Sequence, residues 1–387
     1  MEEGGHVIFN FFKKKHSVVH KPASKTISDV PLKYVKTNTK PIITVPSEIV
    51  RTKADDIVPA AERIQTAIPS KHGLYPHEIL MLDYATTFYT EGNTFQGFWW
   101  YRYGVINVGD SLRSLLERGF LQVGDLQSTV EKENATTLKE ELKKRGIKTT
   151  GKKADLVKRL LEEVPNEELN IRFALRNYQM SELGKQSLIE ESYVPYIHRY
   201  QLEDLDIWSL NKIVHTPPKM PYRDKIWGYL NNRSMDHVAA RNFGLYRNSR
   251  YHMHLFLMEE KRIKDALAML AEVVFYDLCG LGNGYDERYL FITAGYFFPY
   301  TKSIAKTAPG IIDAIMKCKN DLGLTDEEFR GIMLNRMSML RAPVHLFTHE
   351  ECVNILFAEI RQEEETLNKI YAKAKQRFKQ KYPDINC

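Results

Sequence analysis

The stretch ATTLKEELKKRGIKTTGKKADLVKRLLEEV, residues 135–164, constrains this chain more than any other. Leu138 and Leu142 stand four apart and share one face of a first helix. Leu156, Val157, Leu160 and Leu161 give a second helix a matching face. Thr137 and Glu140 are in capping-box register, which predicts where the first helix starts. Gly146 supplies a left-handed stop, and Ile147 opens an extended linker. Gly151 lies near the second helix start, where first-turn N–H groups point outward without partners. The pattern predicts two short helices closed on a small shared core.

The charges of this unit are not evenly spread. From 137 to 164 there are nine bases and five acids, an excess of +4. Lys143, Lys144, Arg145, Lys148, Lys152 and Lys153 follow one another with no acid between them, and Thr150 and Gly151 lie inside that run. These eight residues are the candidate nucleic-acid contacts here. A helix N-terminus favours a phosphate, and flanking cations add affinity by releasing counterions. The LKEEL helix, RGI turn, GKKADL helix start and KRLLE finish resemble a SAP module. That resemblance implies binding to the backbone of duplex DNA with little base reading.

The flanks of the unit suggest that it is an insertion. VGDSLRSLLERGFLQVG at 108–124 predicts a helix capped by Asp110 or Ser111, with Leu112, Leu115 and Leu116 buried and Gly119 as its stop. FLQV follows as a strand. YQMSELG at 178–184 predicts a returning strand that runs into a helix capped by Ser181. The order is similar to a winged helix-turn-helix domain whose wing holds about fifty extra residues. That resemblance makes Arg113, Ser114, Glu117 and Arg118 exposed positions of a recognition helix, with Arg113 and Arg118 as candidate nucleic-acid contacts. Upstream, YPHEILMLDYATTFY at 75–89 has a helical apolar face, and Trp99 and Trp100 are expected core anchors.

The second half reads as helical. Residues 236–284 suggest two antiparallel helices joined near Lys261, with Ala266, Leu270 and Val273 at packing positions. LFLMEEKRIKDALAMLAEV resembles part of a tetratricopeptide-type repeat, with His254 where that family has a small residue. The resemblance implies a protein-contact surface. Segments 308–323, 325–340 and 348–382 follow as helices, with capping-box pairs Thr325–Glu328 and Thr348–Glu351.

Residues 1–53 carry ten bases and four acids, a difference of +6 that equals the net charge of the whole chain. Pro22, Pro31, Pro41 and Pro46 forbid a long helix there, so an extended basic arm is expected, with ITV at 43–45 at most an edge strand. The four cysteines at 279, 318, 352 and 387 form no CxxC pair, which suits a reducing compartment and disfavours a zinc knuckle. The early apolar stretch is too short for a signal peptide, so a cytoplasmic protein without a membrane partner is expected.

Signals for chemistry are sparse. His345, His349 and Cys352 have metal-like spacing but lack a fourth ligand. His252 and His254 diverge on a helix. GLGNG at 280–284 lacks the Lys-Ser/Thr of a phosphate loop. No catalytic residue, metal or cofactor is assigned.

The expected architecture is mainly α. It has a basic arm (1–70), a winged-helix-like domain (71–126 and 166–200), a SAP-like module (127–165), a TPR-like region (201–305) and a C-terminal helical region (306–387). The overall layout looks like uncharacterised SAP-domain proteins of Gram-positive bacteria and their phages. The leading expectation is a non-enzymatic DNA-binding accessory protein that brings a protein partner to duplex DNA through its helical half. The alternatives are a protein-interaction factor, such as a phage inhibitor of a host defence complex, and an enzyme whose site is not visible in sequence.

Overall fold

A computed structural model describes residues 57–281 and 289–387, which lie in one compact unit, Thr52–Cys387. The expected basic arm and its ITV segment fall outside the described residues up to residue 56. Residues 57–70, expected as linker, are fastened to the body. Helix α1 (Ala60–Arg63) starts with Ala60 N–H donating to the Gly104 carbonyl at 2.8 Å. The Ile68 N–H and carbonyl bond the Asn211 side chain at 2.8 and 2.9 Å.

Helix α2 (Pro76–Tyr84) begins with Pro in its first turn, where no N–H is needed. It is followed by the single turn α3 (Phe98–Tyr101) and by α4 (Val108–Glu117). Trp99 is buried but Trp100 is not, because neighbours on one short turn point apart. The cap of α4 is Asn107, which accepts from the Asp110 N–H, so the expected Asp110 or Ser111 cap lies too far along the chain. The Gly119 and Phe120 N–H groups bond the Leu116 and Leu115 carbonyls, closing α4 in a Schellman motif as the glycine implied.

Strand β1 (Leu121–Val123) leads to α5 (Leu126–Lys132), α6 (Ala135–Lys144), α7 (Lys153–Glu163) and α8 (Asn166–Arg172). Strand β2 (Tyr178–Met180) then returns antiparallel to β1, with Leu121 opposite Met180. The chain passes directly into α9 (Glu182–Glu190), capped by Ser181 as expected. Four helices are therefore inserted between the two strands of one small ribbon.

Beyond the ribbon the chain is helical: α10 (Tyr193–Tyr200), α11 (Ile207–His215), α12 (Tyr222–Ala239), α13 (Phe243–Glu259), α14 (Ile263–Leu278), α15 (Leu290–Thr293), α16 (Pro309–Asp321), α17 (Asp326–Ser338), α18 (His349–Arg361) and α19 (Glu364–Lys381). The expected hairpin is α13 and α14, which turn at Lys261 with φ +58°. Its first helix starts at Phe243 rather than near 236, where α12 is still running. The expected single helix at 348–382 is two helices, broken at Gln362 in a left-handed conformation.

Three apolar cores organise these elements. The first joins α2, α4, the ribbon and α10–α12 to one face of α13 and α14 through Phe256, Leu257 and Ala266. The second spans the C-terminal helices and takes the other face of α14 through Leu267, Leu270 and Val274. Helix α14 is buried nearly all round beyond its first turn because it is a wall shared by both cores, and its two buried acids, Glu272 and Asp277, are paired with arginines. The packing continues across residue 200, where a domain border was expected, since Ile197 and Leu205 sit in one core. The third core belongs to the insertion alone.

Candidate nucleic-acid interface

The inserted helices close as their leucines require, around Leu138, Leu142, Leu156 and Leu160, all fully buried. Helix α6 starts three residues earlier than the capping-box pattern placed it. Asn134 is the cap and accepts from the Thr137 N–H at 2.9 Å, so Thr137 lies within the first turn. At its end Gly146 takes φ +71°. The Gly146 and Ile147 N–H groups bond the Lys143 and Leu142 carbonyls. This is a Schellman closure that folds Ile147 back onto the core.

The unit is larger than the two-helix pattern. Val130 of α5, and Leu169 of α8 with Phe173 just beyond it, are buried in the same core. Asn177 fastens the module to the ribbon. Its carbonyl accepts from the Gly124 N–H at 2.8 Å, and its side-chain oxygen accepts from Thr129 Oγ1 at 3.1 Å. Tyr89 Oη adds a bond to Glu133 at 2.7 Å. The cationic surface thus stands on a braced stalk.

The six bases of the run separate into two groups. Glu141 sits on the first of them, with its side chain only 3% exposed. It accepts from Lys144 at 2.8 Å, Arg145 at 2.9 Å and Arg172 at 2.7 Å. Burial alone would raise this carboxyl. Hydrogen bonds from Lys144, Arg172 and Arg145 outweigh it and hold the group at about 2. Arg145 also reaches Glu168 at 3.5 Å. Lys144 and Arg145 are therefore ion-paired within the module. Arg172 was missed in the sequence because it lies 31 residues from Glu141.

Lys143, Lys148, Lys152 and Lys153 are exposed, and among the described residues no carboxylate pairs with them. Thr150 and Gly151 are exposed on the same linker. Lys152 caps α7, and its N–H donates to Asp155 Oδ2 at 2.8 Å. The next N–H groups, of Lys153 and Ala154, lie in the open first turn. Asp155 is the acid of this first turn, and its carboxylate accepts the Lys152 backbone N–H. Gly151 has φ +128°, and a Cβ there would press on Asp155 at 3.0 Å, so only glycine suits this approach. Arg159 shapes the linker, because its Nη1 bonds the Lys148 carbonyl at 2.5 Å and the Thr150 carbonyl at 3.2 Å. That role had no local sequence signal.

The two arginines of α4 and its end fare differently from the linker lysines. Arg113 is exposed and makes only a surface pair with Asp110 at 3.2 Å. Arg118 is turned to structural use. It pairs with Glu78, donates to the Gly73 carbonyl at 3.0 Å and lies over the Phe120 ring. It ties α4 to α2 and is not a free cation.

The other candidates for chemistry resolve into packing. His349 stacks on Phe275 at 5.4 Å between ring centroids, with His345 against the same ring. Among the described residues no group of three His, Cys, Asp or Glu side chains is arranged to hold a metal ion. Within the same residues no helix is long and apolar enough to cross a membrane. His254 is buried, with Nδ1 3.1 Å from the Ala266 carbonyl, so it closes the α13–α14 hairpin.

Comparison with curated proteins and with solved structures finds no match. Helices α6 and α7, the glycine-closed turn and the lysine-bearing linker coincide with a match to a protein family: residues 134–164 are a SAP domain, with α5 and α8 lying outside the match.

Proposed function

We propose that this chain is a non-enzymatic, DNA-binding accessory protein that grips duplex DNA through the linker and first turn of α7. The carrying observation is that Lys143, Lys148, Lys152 and Lys153 are exposed with no carboxylate partner among the described residues, Lys152 and Lys153 standing at the open start of α7. Ammonium groups and backbone N–H groups contact phosphate oxygens and position a duplex without reading it. Few phosphates are neutralised, so affinity is modest and falls steeply with salt. Arg113 on α4 is a second, weaker contact. We read α4, the ribbon and α9 as winged-helix-like, and α13–α14 as a TPR-like hairpin.

A protein partner on the helical half has its own support. Tyr289, Phe291, Ile292, Tyr296 and Ile304 are each more than half exposed within sixteen residues, a density of apolar surface that marks contact sites. The phage or mobile-element setting rests on the resemblance of the layout alone.

Titration of the full chain with labelled duplexes of unrelated sequence tests the DNA reading. Affinities should agree within about tenfold across sequences and weaken together as salt rises. A strong preference for one sequence, or for single-stranded RNA over every duplex, would overturn it.

A further inference from the structure

Helix α15 and the tight turn Ala294–Tyr296 that continues it are apolar on two faces. Leu290 and Ala294, with Phe297 just beyond, are buried and spaced four and three apart. That spacing is one helical face, and it meets the core. The opposite face carries Phe291, Ile292 and Tyr296, all exposed. A helix that is apolar all round is normally covered all round. Gly295 lies between Ile292 and Tyr296, with nothing within 4 Å of where a Cβ would stand. A second backbone can therefore approach closely there. The Ile304 N–H donates to the Tyr296 carbonyl at 2.9 Å, so exposed Ile304 extends the same surface.

The charges around this surface select what covers it. The sequence has no acid from 289 to 312, and its two bases there, Lys302 and Lys306, flank Ile304. Both are exposed, and among the described residues no carboxylate pairs with them. Two acids come near Tyr300, but Glu359 is buried and accepts the Thr307 N–H at 3.1 Å, and Glu364 lies at the start of α19. Phe297 and Phe298 pack on Phe378 of α19, at 6.0 and 6.1 Å between ring centroids. From 366 to 383, the part of the chain that holds Phe378, there are six bases and no acid. An apolar centre thus has cations on its own segment and on the helix packed beside it. Such a border repels a cationic partner and selects an anionic one. The basic segment 1–53 has the wrong sign for this place.

We propose, resting on the protein-partner reading above, that this surface docks an acidic, amphipathic segment of a partner protein. The apolar side chains of that segment cover Phe291, Ile292, Tyr296 and Ile304, with its backbone close to Gly295. Its carboxylates pair with Lys302 and Lys306 at the border. The aliphatic Ile292 and Ile304 suit a peptide better than single-stranded nucleic acid, whose bases stack on flat rings. Burial of the aromatic anchors supplies most of the affinity, and the lysines supply orientation and choice of partner.

Panning a display library of random short peptides on the full chain tests this, with excess duplex DNA present to occupy the linker lysines. Recovered peptides should be net negative, with aromatic or aliphatic residues among their acids. A labelled recovered peptide should bind at least about tenfold more weakly to Phe291→Ser/Tyr296→Ser, which lacks two anchors. It should also weaken, by about threefold to tenfold, with Lys302→Glu/Lys306→Glu, and replacing its acids with Lys should restore binding to that variant. All four side chains are exposed, so both variants should fold. Recovery of neutral or basic peptides that still need Phe291 and Tyr296 overturns the acidic assignment and leaves the protein-partner reading standing. Absence of any peptide that needs those two residues overturns both. So does their need for binding oligothymidylate, or vesicles of equal phosphatidylglycerol and phosphatidylcholine, when no such peptide is recovered.

Discussion

The cationic run divides unequally: Lys144 and Arg145 are paired, while Lys143 of the same helix end joins the linker lysines in having no carboxylate partner among the described residues. Lys144 and Arg145 end a helix one turn after Glu141, so helical periodicity places both on that buried carboxylate, and Arg172 joins them. Lys148, Lys152 and Lys153 lie on the linker and at the start of α7, where no acid lies one turn back, and no carboxylate among the described residues pairs with them. Equal charge in sequence becomes unequal charge at the surface. The part that builds the turn is not the part that faces a polyanion.

The largest expected effect separates the module from the body by pH. Burial lowers His77, His198 and His254 in the body to about 4. These imidazoles are neutral in the fold and bind protons more readily unfolded. Their contribution is complete above about pH 6.5 and is lost as pH falls through about 4. Glu359, pushed up to about 7 by burial, acts oppositely, favouring the fold in acid and losing that contribution as pH rises through 7. Residues 124–173 contain no histidine. Among their acids, Glu141 contributes above about pH 4.5 and loses its effect only as pH falls through about 2. Hydrogen exchange at pH 5 should show the body loosening while 135–164 stay protected. The reverse order would break the contrast.

Leu160→Ala comes next. It empties a fully buried position in a core of nine buried residues and costs about 2–5 kcal/mol. Protection should vanish across 135–164 and persist in α14. A loss spread over the whole chain would show that the module core is not independent. A smaller cost follows Glu141→Gln, about 1–3 kcal/mol of local stability, as its partners lose the negative charge and one of its two acceptor oxygens. The folded variant should bind duplex DNA more tightly, because Lys144, Arg145 and Arg172 are released. Weaker binding by a folded variant would contradict the division of the run. Lys144→Ala should change duplex affinity by less than about twofold, read by fluorescence anisotropy.

What was legible in the sequence was local. Gly146 and Gly119 marked helix ends because a left-handed closing residue is a property of one position, and Ser181 marked a cap for the same reason. Capping was misjudged at α6 and α4, which are capped by Asn134 and Asn107 rather than by Thr137 and by Asp110 or Ser111. The break at Gln362 carried neither Gly nor Pro and left no signal. The site was half legible. The free lysines were visible, and the spacing of Glu141 to Lys144 and Arg145 was a signal that could have been used. The grip of Arg159 on the linker and of Arg172 on Glu141 depends on tertiary closure. Arg118 looked exposed on a helical wheel, yet packing of α4 on α2 brought Glu78 to it.

The most direct measurement is the salt dependence of duplex binding by the native chain, by Lys148→Ala/Lys152→Ala/Lys153→Ala and by Lys144→Ala. The triple variant should lose at least about tenfold in affinity at low salt, about 1.4 kcal/mol. Its slope of log affinity against log salt should be shallower by up to about 3, while Lys144→Ala keeps the native slope. A native slope in the triple variant, or an equal loss in Lys144→Ala, would contradict a phosphate grip centred on the linker and the start of α7.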